Sequence, residues 1–301
     1  MLWVLLSIPF LNWAQNQELE KMFHYMEHLE KNRDQDSLAI MAPIFLAKAT
    51  AFPDSDLYLW ARHYDGAFRW KERPDTSLQI LLEVHEAFKK RGIFLGTVKS
   101  ALSLGIVSYY HVNDVSQSSE YYGYGIERLE KEGAAILGDS LNNSMLAWFY
   151  NSLSTNTSNQ GDYESAMQLA LKAKSKLEFI TNDRQEALAL MNLANINASL
   201  KEYEISQKYN QELLAVCRRM GDREFTSMAL NNLAAGFGNM GKIDSALVYM
   251  EKAYELSKID QNWKQLSLRA SNIGFIFQKL DSLSEARKYF EEALTMARKN
   301  S

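Results

Sequence analysis

One cysteine, Cys217, stands in the whole sequence. No internal disulfide can therefore staple the chain, and packing alone must hold it together. Such thiol usage suits a cytosol, and equally an exported protein that lacks bridges. Prolines number 4 in 301 residues and helix formers dominate, which disfavours a sandwich or a barrel. Neither sign of charge prevails: 33 Lys and Arg face 37 Asp and Glu, a net charge of −4. With no basic stripe to neutralise phosphates, no nucleic acid is expected to bind this region. No run approaches the roughly 20 apolar residues that a membrane helix needs, so no span is expected in this chain. Gly-rich phosphate loops and a Ser/His/Asp order are missing too. The expectation is a protein that is no enzyme and needs no cofactor or metal.

Apolar residues make up 47% of the chain, enough to bury a core. Leu2 to Leu11 is a short apolar run followed by Asn12-Trp13-Ala14-Gln15. It resembles the end of a secretory signal over residues 1–14, cleaved after Ala14, although no Lys or Arg precedes it. The other reading is a buried first helix. The first places the mature protein in the periplasm or outside the cell; the second suits a cytoplasmic protein.

Self-comparison is more informative. Ala166, Ser206, Ala246 and Ala286 recur at intervals of 40, and so do Ser154, Ala194, Ala234 and Gly274 twelve residues before them. Leu153, Leu193, Leu233 and Ile273 keep the interval, as do Tyr209, Tyr249 and Tyr289, and Asn192, Asn232 and Asn272. A small residue in the middle of one helix and another early in the next let the two approach closely, and Leu and Tyr fill the space around that contact. The turns between them begin at Gly161, Lys201, Gly241 and Asp281. A glycine there can adopt the left-handed conformation that closes a helix. Asp244 and Ser284 are the expected N-caps of the second helices. Arg218-Arg219, Lys258 and Arg298-Lys299 sit where cations oppose the negative end of the helix dipole.

These positions resemble the tetratricopeptide repeat, with a period of 40 in place of the usual 34 or so, hence helices longer by roughly half a turn to a turn. The resemblance is strong from Ser144 to Asn300 and covers four helix pairs. Pairing of small residues argues against a HEAT-like array of similar period. The expected fold is all-α, a right-handed α-solenoid of antiparallel helix pairs. Residues 15–143 read as a divergent helical-repeat region and 144–301 as the tetratricopeptide repeats, with no Gly/Ser-rich linker between them. Upstream, 96–114 with 115–139, 56–73 with 75–91, and 18–31 with 36–52 read as further pairs. Solenoids normally end on a polar capping helix. Ile273, Phe275, Ile276 and Phe277 near the last pair therefore suggest a longer protein or a packing partner.

The resemblance implies a binding groove lined by one face of the first helices. By position that face holds Leu188, Asn192, Asn195 and Ser199, then Met228, Asn232, Ala235 and Asn239, then Leu268, Asn272, Phe275 and Lys279. An Asn amide both donates and accepts, so a column of them can pair with an extended peptide backbone. The same amides can instead bond neighbouring repeats and stiffen the array. A clamp for acidic chain ends needs Lys or Arg on this face, where only Lys279 stands. The implied partner is a protein or peptide, with a C-terminal signalling domain beyond residue 301 if the chain is similar to the periplasmic sensor regions of bacterial envelope regulators. A stand-alone scaffold is the alternative.

Three motifs tempt toward other chemistry. Gly236-Phe237-Gly238-Asn239-Met240-Gly241 matches G-x-G-x-x-G, but a dinucleotide site needs a strand before it, and here a helical repeat precedes. His24-Tyr25-Met26-Glu27-His28 matches H-x-x-E-H, the pattern of a zinc hydrolase, with no further ligand evident downstream. Asp-Ser pairs such as Asp36-Ser37 and Asp139-Ser140 look like an O-glycosylation motif of some Gram-negative envelope proteins, and helix capping explains them as well.

Overall fold

The computed structural model describes residues 2–32, 34–178, 180, 182–259 and 262–299. Among the described residues there is no strand. The chain divides into two units, Met1–Gly138 and Asp139–Ser301.

In the second unit the 40-residue interval is written into the helices themselves. The first helices are α8 (Asp139–Asn159), α10 (Asp183–Ser199), α12 (Arg223–Asn239) and α14 (Trp263–Lys279). The second helices are α9 (Tyr163–Lys176), α11 (Tyr203–Met220), α13 (Ile243–Ile259) and α15 (Leu283–Lys299). Each packs against the next, so the pairs stack in sequence order as the expected α-solenoid. Within a pair the helices meet at the small residues. The Ser154 hydroxyl donates to the Ala166 carbonyl at 2.8 Å, and Ser206 donates to the Ala194 carbonyl at 2.8 Å. In the last pair the second helix carries the larger Phe290, and Gly274 makes room for it. A Cβ at Gly274 would lie 2.7 Å from that ring.

Caps repeat as well. Asn182, Asp222 and Asn262 accept from the backbone N–H three residues on and start α10, α12 and α14. At the other end Gly161, Lys201, Gly241 and Asp281 all have positive φ, from 56° to 87°. The following N–H then reaches back to a helix carbonyl: Asp162 to Thr157 at 3.2 Å, Glu202 to Asn197 at 2.8 Å, Lys242 to Phe237 at 2.9 Å, Ser282 to Phe277 at 3.0 Å. The expected caps at Asp244 and Ser284 lie one residue inside α13 and α15. The turn closes a residue earlier than the sequence suggests, and Ser284 bonds instead to Glu285 at 2.5 Å.

The first unit holds α1 (Leu2–Asn32), α2 (Gln35–Ala49), α3 (Asp56–Phe68), α4 (Pro74–Arg91), α5 (Phe94–Val107), α6 (Val115–Arg128) and α7 (Ala134–Leu137). Consecutive helices pack from α1 through α6. The signal-like segment runs as helix from Leu2 into α1, and Met1 lies outside the described residues. Helices α2 to α4 carry a core rich in rings, with Phe45, Trp60, Tyr64 and Phe88 buried. α5 widens into a π turn at Ser108–Val112, closed by Asn113 at positive φ, and a second π turn, Leu129–Gly133, joins α6 to α7.

His63 is enclosed by Trp60, Tyr64 and Phe88. Burial first, and then the charge of Lys99, push its pKa from 6.5 down to about 3. Burial also lowers His85, whose Nδ1 sits 2.8 Å from the Ser100 hydroxyl.

Two expectations follow from this geometry. A side chain other than Gly in the left-handed region costs roughly 1 kcal/mol, so Lys201→Gly and Asp281→Gly should each raise stability by about 0.5–1 kcal/mol in denaturant melts, and Gly241→Ala should lower it. His63 stays neutral in the fold while the unfolded chain takes up its proton below about pH 6.5. Its contribution is complete above that pH and is lost as pH falls toward the folded value, at up to about 1.4 kcal/mol per pH unit. A urea midpoint followed from about pH 7 to about pH 4 should fall accordingly. His63→Phe should remove one proton's worth of that slope.

Candidate functional site

Equivalent residues of α10, α12 and α14 fall on one face because steps of three and four residues return to the same side of a helix. Leu188, Asn192, Met228, Asn232 and Asn272 are half-buried there, while Asn195, Asn239 and Lys279 are exposed. Leu268 and Phe275 leave 51% and 56% of their surface open, a large apolar exposure for the end of the face.

The column of amides is linked across repeats. Asn192 donates to the Asn151 carbonyl at 3.0 Å and accepts from the Thr155 hydroxyl at 3.3 Å. Asn272 donates to Asn231 Oδ1 at 3.1 Å, and Asn231 donates to Asn232 Oδ1 at 3.4 Å. A longer contact of 3.5 Å joins Asn232 to Asn195. Part of each amide's capacity thus serves the stack, and the remainder, with exposed Asn195 and Asn239, faces outward. One residue that sequence reasoning passed over is Arg269, adjacent to Leu268 on α14 yet buried to 2% exposure. Its signal was legible: the equivalent slots one and two repeats earlier hold Ala229 and Ala189.

Other motifs find structural places. The G-x-G-x-x-G stretch is the C-terminal half of α12 and the turn after it, with a helix where a nucleotide site needs a strand. His24 Nδ1 lies 3.1 Å from Glu27 Oε2, and His28 Nε2 lies 2.8 Å from Asn32 Nδ2. Among the described residues no three His, Cys, Asp or Glu side chains assemble to hold a metal. Cys217 is buried, and burial pushes its thiol up to about 11. No helix of the described residues is long and apolar enough to cross a membrane.

This geometry is that of a tetratricopeptide array, and family models of the tetratricopeptide repeat match residues 185–259 and 268–300. The repeats of α10 to α15 are tetratricopeptide repeats. Among individual proteins, the chain is 23% identical over 137 residues to response regulator aspartate phosphatase A of Bacillus subtilis, a match spanning 45% of this chain and 36% of that protein. In fold it is similar to a signal transduction ATPase with numerous domains that carries a tetratricopeptide repeat sensor, from Pyrococcus horikoshii. That likeness has a TM-score of 0.71 at 15% identity and covers 95% of this chain and 41% of the other. A Rap protein complexed with competence and sporulation factor gives a TM-score of 0.69 at 13% identity, over 94% of this chain and 77% of its own. The chain therefore spans well under half the length of the Bacillus subtilis and Pyrococcus horikoshii proteins it matches.

Bonds within the amide column predict unequal effects. Asn192→Ala removes two inter-repeat bonds and should cost about 1 kcal/mol in a thermal or urea melt. Asn239→Ala, on the exposed end of α12, should stay within about 0.5 kcal/mol of the parent.

Proposed function

We propose that the chain is a non-catalytic module that binds a protein or an extended peptide along the α10–α12–α14 face, as the sensor or interaction region of a bacterial signalling protein. The observation that carries this reading is the run of outward amides, Asn195 and Asn239, continuing into the exposed side chains of Leu268 and Phe275. Amides suit the backbone of an extended guest, and the apolar pair suits its side chains. Leu188, Asn192, Met228, Asn232, Asn272 and Lys279 complete the wall. Support also comes from the relatives: a Rap protein was solved with competence and sporulation factor, and a Rap conjugation gene regulator with a peptide. Exposed Leu283 and Leu294 on α15 fit a following signalling domain or a partner packed at that end. The signal-like residues 1–14 fit an array that works outside the cytoplasm.

The test is a random peptide pool displayed on phage and selected on the purified protein. Asn195→Ala/Asn239→Ala and Phe275→Ala variants should bind the selected peptides about tenfold or more weakly, a loss of at least 1.4 kcal/mol, while their helical melts stay close to the parent's. Selected peptides that bind these variants as tightly as the parent would move the site off this face.

A further inference from the structure

One repeat junction departs from its neighbour in a way that packing does not require. Between α12, α13 and α14 lies a recess of about 170 Å³ lined by Glu224, Ser227, Ser257, Asn262, Gln265 and Arg269. One repeat earlier, the slots of Ser227, Ser257, Gln265 and Arg269 hold Ala187, Cys217, Phe225 and Ala229. Those four are buried together in an apolar cluster. The array can therefore close this junction without polar groups, and here it carries four.

Arg269 is 2% exposed, and its Nε has no hydrogen-bond partner among the described residues. Gln265 Oε1 is likewise buried without a partner. The Ser227 and Ser257 hydroxyls stand 3.2 Å apart, and both donate to the Ala253 carbonyl, at 2.9 Å and 3.1 Å. Burial lowers the pKa of Arg269, with no charge among the described residues contributing. An arginine does not escape burial by shedding its proton. A buried cation with no counter-charge is costly, and an anion within bonding reach relieves that cost. Among the described residues Glu224 is the one carboxylate on the recess wall, and it is exposed. The recess is far larger than the roughly 10–15 Å³ that a single water needs.

We propose that this recess is an oxyanion site, in which Arg269 holds a small carboxylate or phosphate group. The planar fork of the guanidinium matches two oxygens of either group. The Gln265 amide, turned so that Nε2 faces the recess, is the further donor at hand, since each serine hydroxyl already gives its one proton to the Ala253 carbonyl. This site stands apart from the outward amide face and does not depend on the peptide reading.

The experiment titrates the whole chain with sodium phosphate and with sodium acetate, by calorimetry and by thermal melts, against sodium chloride at matched ionic strength. A saturable heat and a rise in melting temperature with phosphate or acetate, beyond chloride, are expected; the tighter of the two names the group. Two variants locate the effect. R269M removes the charge at similar volume, and Q265F restores the ring that Phe225 places in the preceding junction. Each should melt as a folded helical protein and bind the anion about tenfold or more weakly, as expected for losing a charge-assisted contact. Should R269M fail to fold, Q265F alone decides. No response beyond chloride in the parent overturns the proposal, and so does R269M or Q265F binding like the parent. A response that appears only in E224Q overturns it too, because Glu224 would then be the counter-ion of Arg269.

Discussion

Close approach of two antiparallel helices at a pair of small side chains is the contact on which the second unit rests. Ser154 against Ala166 and Ser206 against Ala194 bring hydroxyl and carbonyl within 2.8 Å, a distance that larger residues at these slots would prevent. Direction of the bond reverses between the two pairs, yet the separation is kept. Gly274 and Phe290 show the same constraint from the other side, since a larger ring on one helix is met by the loss of a Cβ on its partner. Once a pair is closed, its apolar face is still half covered, and only the next pair completes it. Stacking in sequence order is the consequence.

Local signals agree with that contact at every turn. Caps at Asn182, Asp222 and Asn262 start the first helices, and left-handed residues at 161, 201, 241 and 281 end them. Agreement between cap, turn and packing is what lets one arrangement win over its competitors. Where Lys201 and Asp281 stand in place of glycine, the turn is kept by its tertiary neighbours rather than by the residue's own preference. The amide column adds a polar seam along the stack, and that seam leaves Asn195 and Asn239 facing outward at its edge.

Legibility fell off toward the N-terminal unit. There the small-residue contact persists at Gly105 and Ser118, whose hydroxyl donates to the Gly105 carbonyl at 2.8 Å, but elsewhere the core is held by rings such as Phe45, Tyr64 and Phe88, whose positions follow no fixed interval. π turns at Ser108–Val112 and Leu129–Gly133 shift the face of a helix by part of a turn, which no apolar periodicity announces. In the second unit the misplaced caps at Asp244 and Ser284 came from reading a favourable residue type without the turn geometry that decides its slot. Asn182, Asp222 and Asn262 kept the interval throughout and were the better signal.

Small residues, asparagines and turn residues recurring at 40 determined, from the sequence alone, that this chain builds stacked helix pairs, because each such position carries a steric or hydrogen-bonding demand that acts locally. Which amides are spent on neighbours and which face outward was decided only in three dimensions, since Asn192 and Asn239 are the same residue type in similar helices. The tertiary structure likewise decided that Arg269 is buried, its Nε without a partner among the described residues. A side chain's solvation depends on what the adjoining repeats place around it, and no local pattern encodes that.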